Sequence, residues 1–349
     1  MNEKSITTIT LKKINKKSVY QYIYEHRQTA KQQIVQDLTM GLSTVSQNLN
    51  VLEKEGLISR DGFFESTGGR KAQVIQIVPE YRIAVGVGIL KNMFHLAAVN
   101  LYGEAIAEET VAVPFAQSDA YYDGIASSLE SFLDRNGYDR EKILGVSIAT
   151  QGIPAPDGES VLYGEILHNT DMKLADFSTR IPYPCRLEHD SKAAASLELW
   201  NHPEIESAVV FLLNRNLGGA VITNHKVHQG LSMHSGTLEH ICIDPEGPEC
   251  YCGQKGCLET YCSANALEAA AQMPVKEFFP ALRAGNDARL TEIWDAYLSH
   301  LAYAMKTANL LLDGAVIVSG YLAPYFKEED CRTPVSYTHL RAHETSQDL

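Results

Sequence analysis

His240 followed by Cys250-Tyr251-Cys252-Gly253-Gln254-Lys255-Gly256-Cys257 decides the reading of this chain. Three thiolates and one imidazole form a closed tetrahedral set for zinc, with no position left open for catalysis. The glycines at 253 and 256 let the backbone turn back, so that Cys257 can reach a metal already held by Cys250 and Cys252. The reading is a structural zinc knuckle over 240–257, with His240, Cys250, Cys252 and Cys257 as ligands. Of seven cysteines, the other four (Cys185, Cys242, Cys262 and Cys331) stand apart and read as reduced thiols.

Outward from the knuckle, 349 residues with 45% hydrophobic content suffice for two or three domains with real cores. No apolar run approaches the length of a membrane span, and Met1-Asn2-Glu3-Lys4-Ser5 lacks the apolar stretch of a signal peptide. A cytoplasmic protein is expected. The net charge of −13 is uneven: residues 1–80 carry 11 basic against 8 acidic side chains, and the remainder carries 19 against 35. A mildly basic front on an acidic body suits a DNA-binding head whose body is repelled by phosphate.

The front predicts a winged helix-turn-helix. Helical spacing of apolar residues marks Ser18–Tyr24 and Lys31–Leu38, and the turn Thr39-Met40-Gly41 leads into a helix over Leu42–Glu55. Val45, Leu49 and Leu52 make one stripe of that helix, and the opposite face carries Ser43, Gln47, Asn50 and Lys54, with Thr44 beside them. Hydroxyl and amide side chains can reach base edges in a major groove, and an amine seeks phosphate. Asp61-Gly62 predicts a tight turn, and Ala72–Val78 a returning strand. Between them Ser66-Thr67-Gly68-Gly69-Arg70-Lys71 would place Arg70 and Lys71 along a minor groove. A polar solvated face and a flexible loop tip are the bland alternatives.

From residue 82 the pattern turns to strand pairs and helices. Strands are predicted at Ile83–Gly88, Met93–Leu101, Glu104–Val113 and Ile143–Ala149, with a helix over Tyr121–Asn136. A second similar unit has strands at Ala208–Leu213, Ala220–Ile222 and Ala315–Ser319, and a long helix from Leu290 to Leu312. Two α/β lobes with a ligand between them is the expected architecture.

With these residues in place, the chain resembles the ROK family (repressors, open reading frames, kinases) over roughly residues 10–330. The resemblance is closest to its repressor branch, of the xylose and N-acetylglucosamine type. It is carried by His240 with Cys250-x-Cys252-Gly253-x-x-Gly256-Cys257-x-Glu259, by Leu11-Lys12-Lys13-Ile14-Asn15 leading into the winged helix, and by Ser66-Thr67-Gly68-Gly69-Arg70. It implies a two-lobed, actin-like (ribonuclease-H-like) ATPase-type sugar-kinase fold behind the head. The expected domains are 1–79 and 80–334.

The departures from the kinase pattern imply that ATP chemistry is lost. An Asp-x-Gly-Gly-Thr phosphate loop is replaced by Gly86-Val87-Gly88-Ile89-Leu90-Lys91-Asn92, with no aspartate to organise magnesium. The second phosphate segment reads Asn214-Arg215-Asn216-Leu217-Gly218-Gly219, and the adenosine segment Ser319-Gly320-Tyr321-Leu322. On the sugar side, the family's Asn-Asp pair appears as His189-Asp190, and its Gly-Glu-x-Gly-His segment as Gly236-Thr237-Leu238-Glu239-His240. Asp190, His240, Glu259 and Asn169 are therefore the implied sugar contacts, whereas Glu239 has no counterpart in the family pattern.

The expected function is a non-enzymatic, sugar-responsive transcriptional regulator, with a double-stranded DNA operator, a sugar or sugar-phosphate effector, and a homodimer or higher oligomer as partners. A sugar kinase with a vestigial head is the alternative, and a ligand-free constitutive DNA-binding protein a third reading. The last residues, Val335 to Leu349, resemble a translated transposon sequencing adaptor and are expected to be a non-native tail on a C-terminally truncated chain.

Overall fold

The computed structural model describes residues 8–65 and 71–330. Arg70 and the tail at 335–349 lie outside the described residues. The chain forms two compact units, one running to Ala84 and taking in Val99–Ile106 and Tyr138–Leu144, the other holding the remainder.

The first unit opens with α1 (Thr8–His26), in which Val19, Tyr22 and Ile23 point inward at helical spacing. The helix begins ten residues before the predicted Ser18. Its first half has no inward stripe to announce it, and Leu11 and Ile14 stay exposed. Strand β1 (Gln28–Thr29) leads to α2 (Lys31–Asp37), and a turn with Thr39 at φ 52° leads to α3 (Leu42–Lys54). Val45, Leu49 and Leu52 of α3 join Val19, Ile23 and Ile34 in one core. Strands β2 (Ile58–Ser59) and β3 (Ile75–Ile77) complete a three-stranded antiparallel sheet of order β1-β3-β2.

The turn expected at Asp61-Gly62 is not a chain reversal. The β2–β3 hairpin runs on past it, through a Phe63–Gln73 bridge and a Phe64 N–H to Ala72 carbonyl bond of 2.9 Å. A dipeptide with strong turn chemistry thus serves as an irregularity within a strand.

The larger unit is built on two sheets. The first has the order β10-β7-β4-β5-β6, from β4 (Ile83–Ile89), β5 (Phe94–Val99), β6 (Ala105–Val111), β7 (Ile143–Thr150) and β10 (Cys185–His189). Helix α4 (Asp119–Arg135) buries Ile125, Leu129, Phe132 and Leu133, and the Ser118 side chain caps it by accepting from the Tyr121 N–H. A small hairpin, β8 (Ile153–Pro154) with β9 (Val161–Tyr163), and the one-turn α5 (Ala175–Ser178) fill the β7–β10 connection.

The second sheet has the order β13-β12-β11-β14, from β11 (Ala208–Leu213), β12 (Leu217–Thr223), β13 (Lys226–Val227) and β14 (Ala315–Ser319). Every residue of β11 is buried, because alternate side chains serve two cores. Val209, Phe211 and Leu213 pack with α8 (Ala264–Ala271), α9 (Val275–Ala284) and α10 (Ala288–Leu312). Ala208 and Val210 pack with Ala195 of α6 (Asp190–Asn201). The short α7 (Glu259–Cys262) joins the cysteine loop to α8. No helix among the described residues is long and apolar enough to cross a membrane.

Candidate metal centre and ligand cavity

His240, Cys250, Cys252 and Cys257 converge, with their four ligand atoms within 4.8 Å of one another. The loop is shaped by its own backbone: Cys250 N–H bonds to the Gln254 carbonyl at 2.7 Å, and Gly253 N–H to the Cys250 carbonyl at 2.9 Å. Gly256 is obligatory, since its φ is +67° and a Cβ there would lie 1.6 Å from the Asp244 carbonyl oxygen. Cys252 and Cys257 sulfurs are 3.7 Å apart, and Cys250 Sγ lies 3.8 Å from His240 Nδ1. A tetrahedron with Zn–S near 2.3 Å has edges of ~3.8 Å, which these two separations match, so the donor set suits the ion.

The electrostatics agree with the geometry. Burial pushes the Cys250 and Cys257 thiols up and holds His240 down. A neutral imidazole is the form that binds metal, and a dication is what would release protons from thiols so crowded. Cys242 stands outside the set, exposed, with its thiol toward the Lys255 carbonyl.

The other ring nitrogen of His240, Nε2, lies 4.0 Å from Glu239 Oε1, and both residues line a cavity of about 170 Å³ within the larger unit. Parallel pairing of β10 with β7 sets His189 beside Thr150, so both strands deliver their C-terminal ends, Gln151-Gly152 and His189-Asp190, to the cavity wall. Such carboxyl-end crevices are the usual ligand positions of α/β sheets. Asp190 opens α6, where a negative charge meets the positive end of the helix, and its Oδ1 accepts from Ser191 N–H at 2.6 Å. Asn216, Leu217 and Gly218 of the β11–β12 turn form the facing wall, with Tyr163, Glu165, His234, Glu239 and Tyr251 around it.

Of the four expected sugar contacts, Asp190 and His240 line this cavity, and Asn169 and Glu259 do not. Asn169 is fully buried behind the wall, donating through Nδ2 to Thr150 Oγ1 at 2.8 Å. Glu259 holds the β11–β12 turn from behind: Oε1 accepts from Asn216 Nδ2 at 2.8 Å and Oε2 from Leu217 N–H at 2.6 Å. Burial raises its carboxyl to about 7, against the lowering effect of those bonds. A resemblance carries residue types, but not which way a side chain turns.

Glu239 is the cavity residue that the family pattern does not supply. It is 6% exposed, burial pushes its carboxyl up to about 8, and Oε2 has no partner. His189 is likewise buried, with Nδ1 unpartnered and its pKa held down by desolvation. Gln151, Glu165 and His234 were also unanticipated; Gln151 could have been found as the second residue past the strand predicted at Ile143–Ala149.

In the first unit, Ser43, Gln47, Asn50 and Lys54 are exposed on one side of α3, with Thr44 half-buried among them. Lys71 is exposed at the edge of the described hairpin. Arg60 was not anticipated: its guanidinium donates to Asn50 Oδ1 at 2.7 Å and lies 3.2 Å from Glu53.

The ROK family model matches residues 82–322, most of the chain and all the elements that build the cavity. The chain belongs to the ROK family. Its relatives include a putative xylose repressor from Caldicellulosiruptor sp. (strain Rt8B.4), 25% identical over 74% of this chain and 65% of that protein. They also include the DNA-binding transcriptional dual regulator NagC of Escherichia coli K12, 25% identical over 74% of this chain and 64% of that one. The chain therefore matches just under two thirds of the length of these relatives. Among solved ROK structures, a family transcriptional regulator described as a homolog of the E. coli MLC protein superposes with a TM-score of 0.71 at 19% identity, covering 95% of this chain and 91% of that one. A Streptomyces griseus ROK glucokinase in complex with glucose and AMPPNP gives 0.64 at 21% identity, over 74% and 88%. At these identities the likeness shows the shared ROK fold, common to regulators and kinases.

Proposed function

We propose that this protein is a sugar-responsive transcriptional repressor of carbohydrate genes, acting in the cytoplasm as a homodimer or higher oligomer. The first unit serves as a winged helix-turn-helix, with α3 in the major groove. Ser43, Thr44, Gln47 and Asn50 read bases there, Lys54 contacts phosphate, and Arg70 and Lys71 follow the minor groove. The second unit binds the effector. His240, Cys250, Cys252 and Cys257 would hold a structural zinc, which would supply no chemistry of reaction and would fix the His240 ring beside the sugar. Asp190 accepts from a sugar hydroxyl, while Asn169 and Glu259 brace the wall. Two heads on a symmetric dimer meet a palindromic operator, and closure of the cavity on its ligand changes their spacing.

The observation that carries this reading is the exposed polar row of α3, whose opposite stripe is wholly committed to the core. The repressor names of the relatives support it. So does the state of the segments that match kinase phosphate loops. Asn214 Oδ1 accepts from the Tyr321 N–H at 2.8 Å, Arg215 pairs with Glu268 at 2.6 Å, and Gly86 to Gly88 lie inside β4. Groups that would meet phosphate are tied to one another, so ATP turnover is expected to be absent. The alternative, a kinase using Asp190 as base, predicts ATP turnover that Asp190→Asn abolishes.

The test is fluorescence anisotropy of the full chain on its own upstream DNA, across salt concentrations and with a sugar panel. Tight, salt-steep binding altered by one sugar is expected. A folded, zinc-loaded protein with no affinity for that DNA would refute the regulator.

A further inference from the structure

Cys242 stands beside the cysteine loop but outside its donor set, and its thiol is exposed. The backbone holds it opposite Cys257, a member of that set and fully buried. The pairing is antiparallel, and its hydrogen bonds lie on either side of the two cysteines. Ile243 N–H donates to the Gly256 carbonyl at 2.7 Å, and Leu258 N–H to the Ile241 carbonyl at 2.8 Å. Cys242 and Cys257 are therefore a non-hydrogen-bonded pair, the kind whose Cα atoms approach to about 4.5 Å with both side chains on one face of the ladder.

A disulfide asks for Cα atoms roughly 4.4 to 6.8 Å apart, so the backbone is already placed for one. The Cys242 sulfur leans instead toward the Lys255 carbonyl, 3.7 Å away. The bond requires a change of its χ1 well, a motion that exposed side chains make readily. Cys250 and Cys252 are spoken for by the metal together with Cys257, whereas Cys242 is the free, solvent-facing thiol next to a ligand sulfur.

Resting on the zinc reading above, we infer that Cys242 and Cys257 are an oxidation site, whose cross-strand disulfide takes one sulfur from the metal and unloads it. The oxidant is a peroxide. The Cys242 sulfur attacks the O–O bond, takes one oxygen as a sulfenic acid, and the other leaves as water. The Cys257 sulfur then attacks the sulfenic sulfur; the S–S bond forms as the S–O bond breaks, and the departing hydroxide takes a proton from solvent. Two sulfurs together give up two electrons and one peroxide is reduced to two waters. His240, Cys250 and Cys252 remain, one donor short of a closed site. His240, Tyr251 and Cys252 line the ligand cavity, so the loss is felt there.

The zinc-loaded full chain, its metal content measured beforehand, is treated with hydrogen peroxide while a metallochromic indicator follows zinc release. Disulfides are then mapped by mass spectrometry after cleavage at Lys255, Glu246 and Glu249, which separates Cys242 from Cys250 and Cys252 and all three from Cys257. Release is expected to accompany a Cys242–Cys257 bond and to reverse on reduction with zinc present. Cys242→Ser should bind one zinc as the wild type does and release it at least tenfold more slowly; Cys242→Ala serves if the serine variant misfolds. Equal release from these variants, or a wild-type map showing Cys252–Cys257 in place of Cys242–Cys257, would overturn the inference and leave the metal centre standing. A folded wild type that binds no zinc before oxidation would remove the zinc reading, and this inference with it.

Discussion

The outer face of α3 and the wall of the cavity are both polar, but they differ in what their polarity costs. Ser43, Gln47 and Lys54 stand in solvent, where an amide or amine without a protein partner is satisfied by water. Glu239 and His189 are buried, each with a polar atom that no protein group satisfies. The first region can exchange side chains freely as far as folding is concerned, and only a partner gives them meaning. The second holds desolvated acceptors, so its residues bear on stability and on binding together. Substitutions on α3 should therefore separate binding from folding, and substitutions around the cavity should mix them.

The sharpest break in that comparison is the metal. Cys257→Ser, or removal of zinc with a chelator, should abolish sugar binding and lower stability by about 3 kcal/mol or more, because binding energy at such a loop is folding energy. The core of the first unit contains no residue of the cysteine loop, so its helices should persist. Metal analysis paired with calorimetric melting checks this; one zinc per chain in the wild type and none in the variant is expected.

Gln47→Ala comes next and tests the opposite limit. Operator affinity should fall by about 1–3 kcal/mol if the amide reads a base edge, with stability within about 0.5 kcal/mol of wild type, as for other exposed positions. Gln47 is a cleaner probe than Asn50, whose removal would also free Arg60.

Inside the larger unit, Asn169→Ala and Asp190→Asn should part company. Loss of the buried Asn169–Thr150 bond should cost about 1–2 kcal/mol of stability, with sugar affinity little changed. Asp190→Asn keeps its volume and should lower sugar affinity about tenfold, since the ionised acceptor is replaced by a neutral amide. Paired thermal melts and sugar titrations read both; an Asn169 variant that loses affinity without losing stability would return that residue to the ligand.

How much of this was legible in the sequence depends on what each signal reports. Periodicity reports burial, so Ala208–Leu213, buried on both faces, was read to the residue, and the helix ending at Leu312 missed only its first two residues. The first half of α1 carried no such stripe and was passed over. The cysteine cluster was plain because metal ligands must lie close in space and three of them lie close in sequence. The cavity was only partly plain. Asn169 and Glu259 had the right type but turn toward Thr150 and the β11–β12 turn, and Glu239 lines the cavity beside the expected His240 without any periodic pattern to mark it.

Lys71 carries the smallest expected effect and the finest distinction. Its charge is exposed beside the hairpin, where a base-reading role and a purely electrostatic one predict different things. A phosphate or minor-groove contact releases about one counterion, so Lys71→Ala should reduce the slope of log K against log salt by ~0.9, and weaken unrelated DNA as much as the operator. A loss confined to the operator would make the hairpin a reader of sequence, and the line between reading and positioning would then run through the wing instead of between the wing and α3.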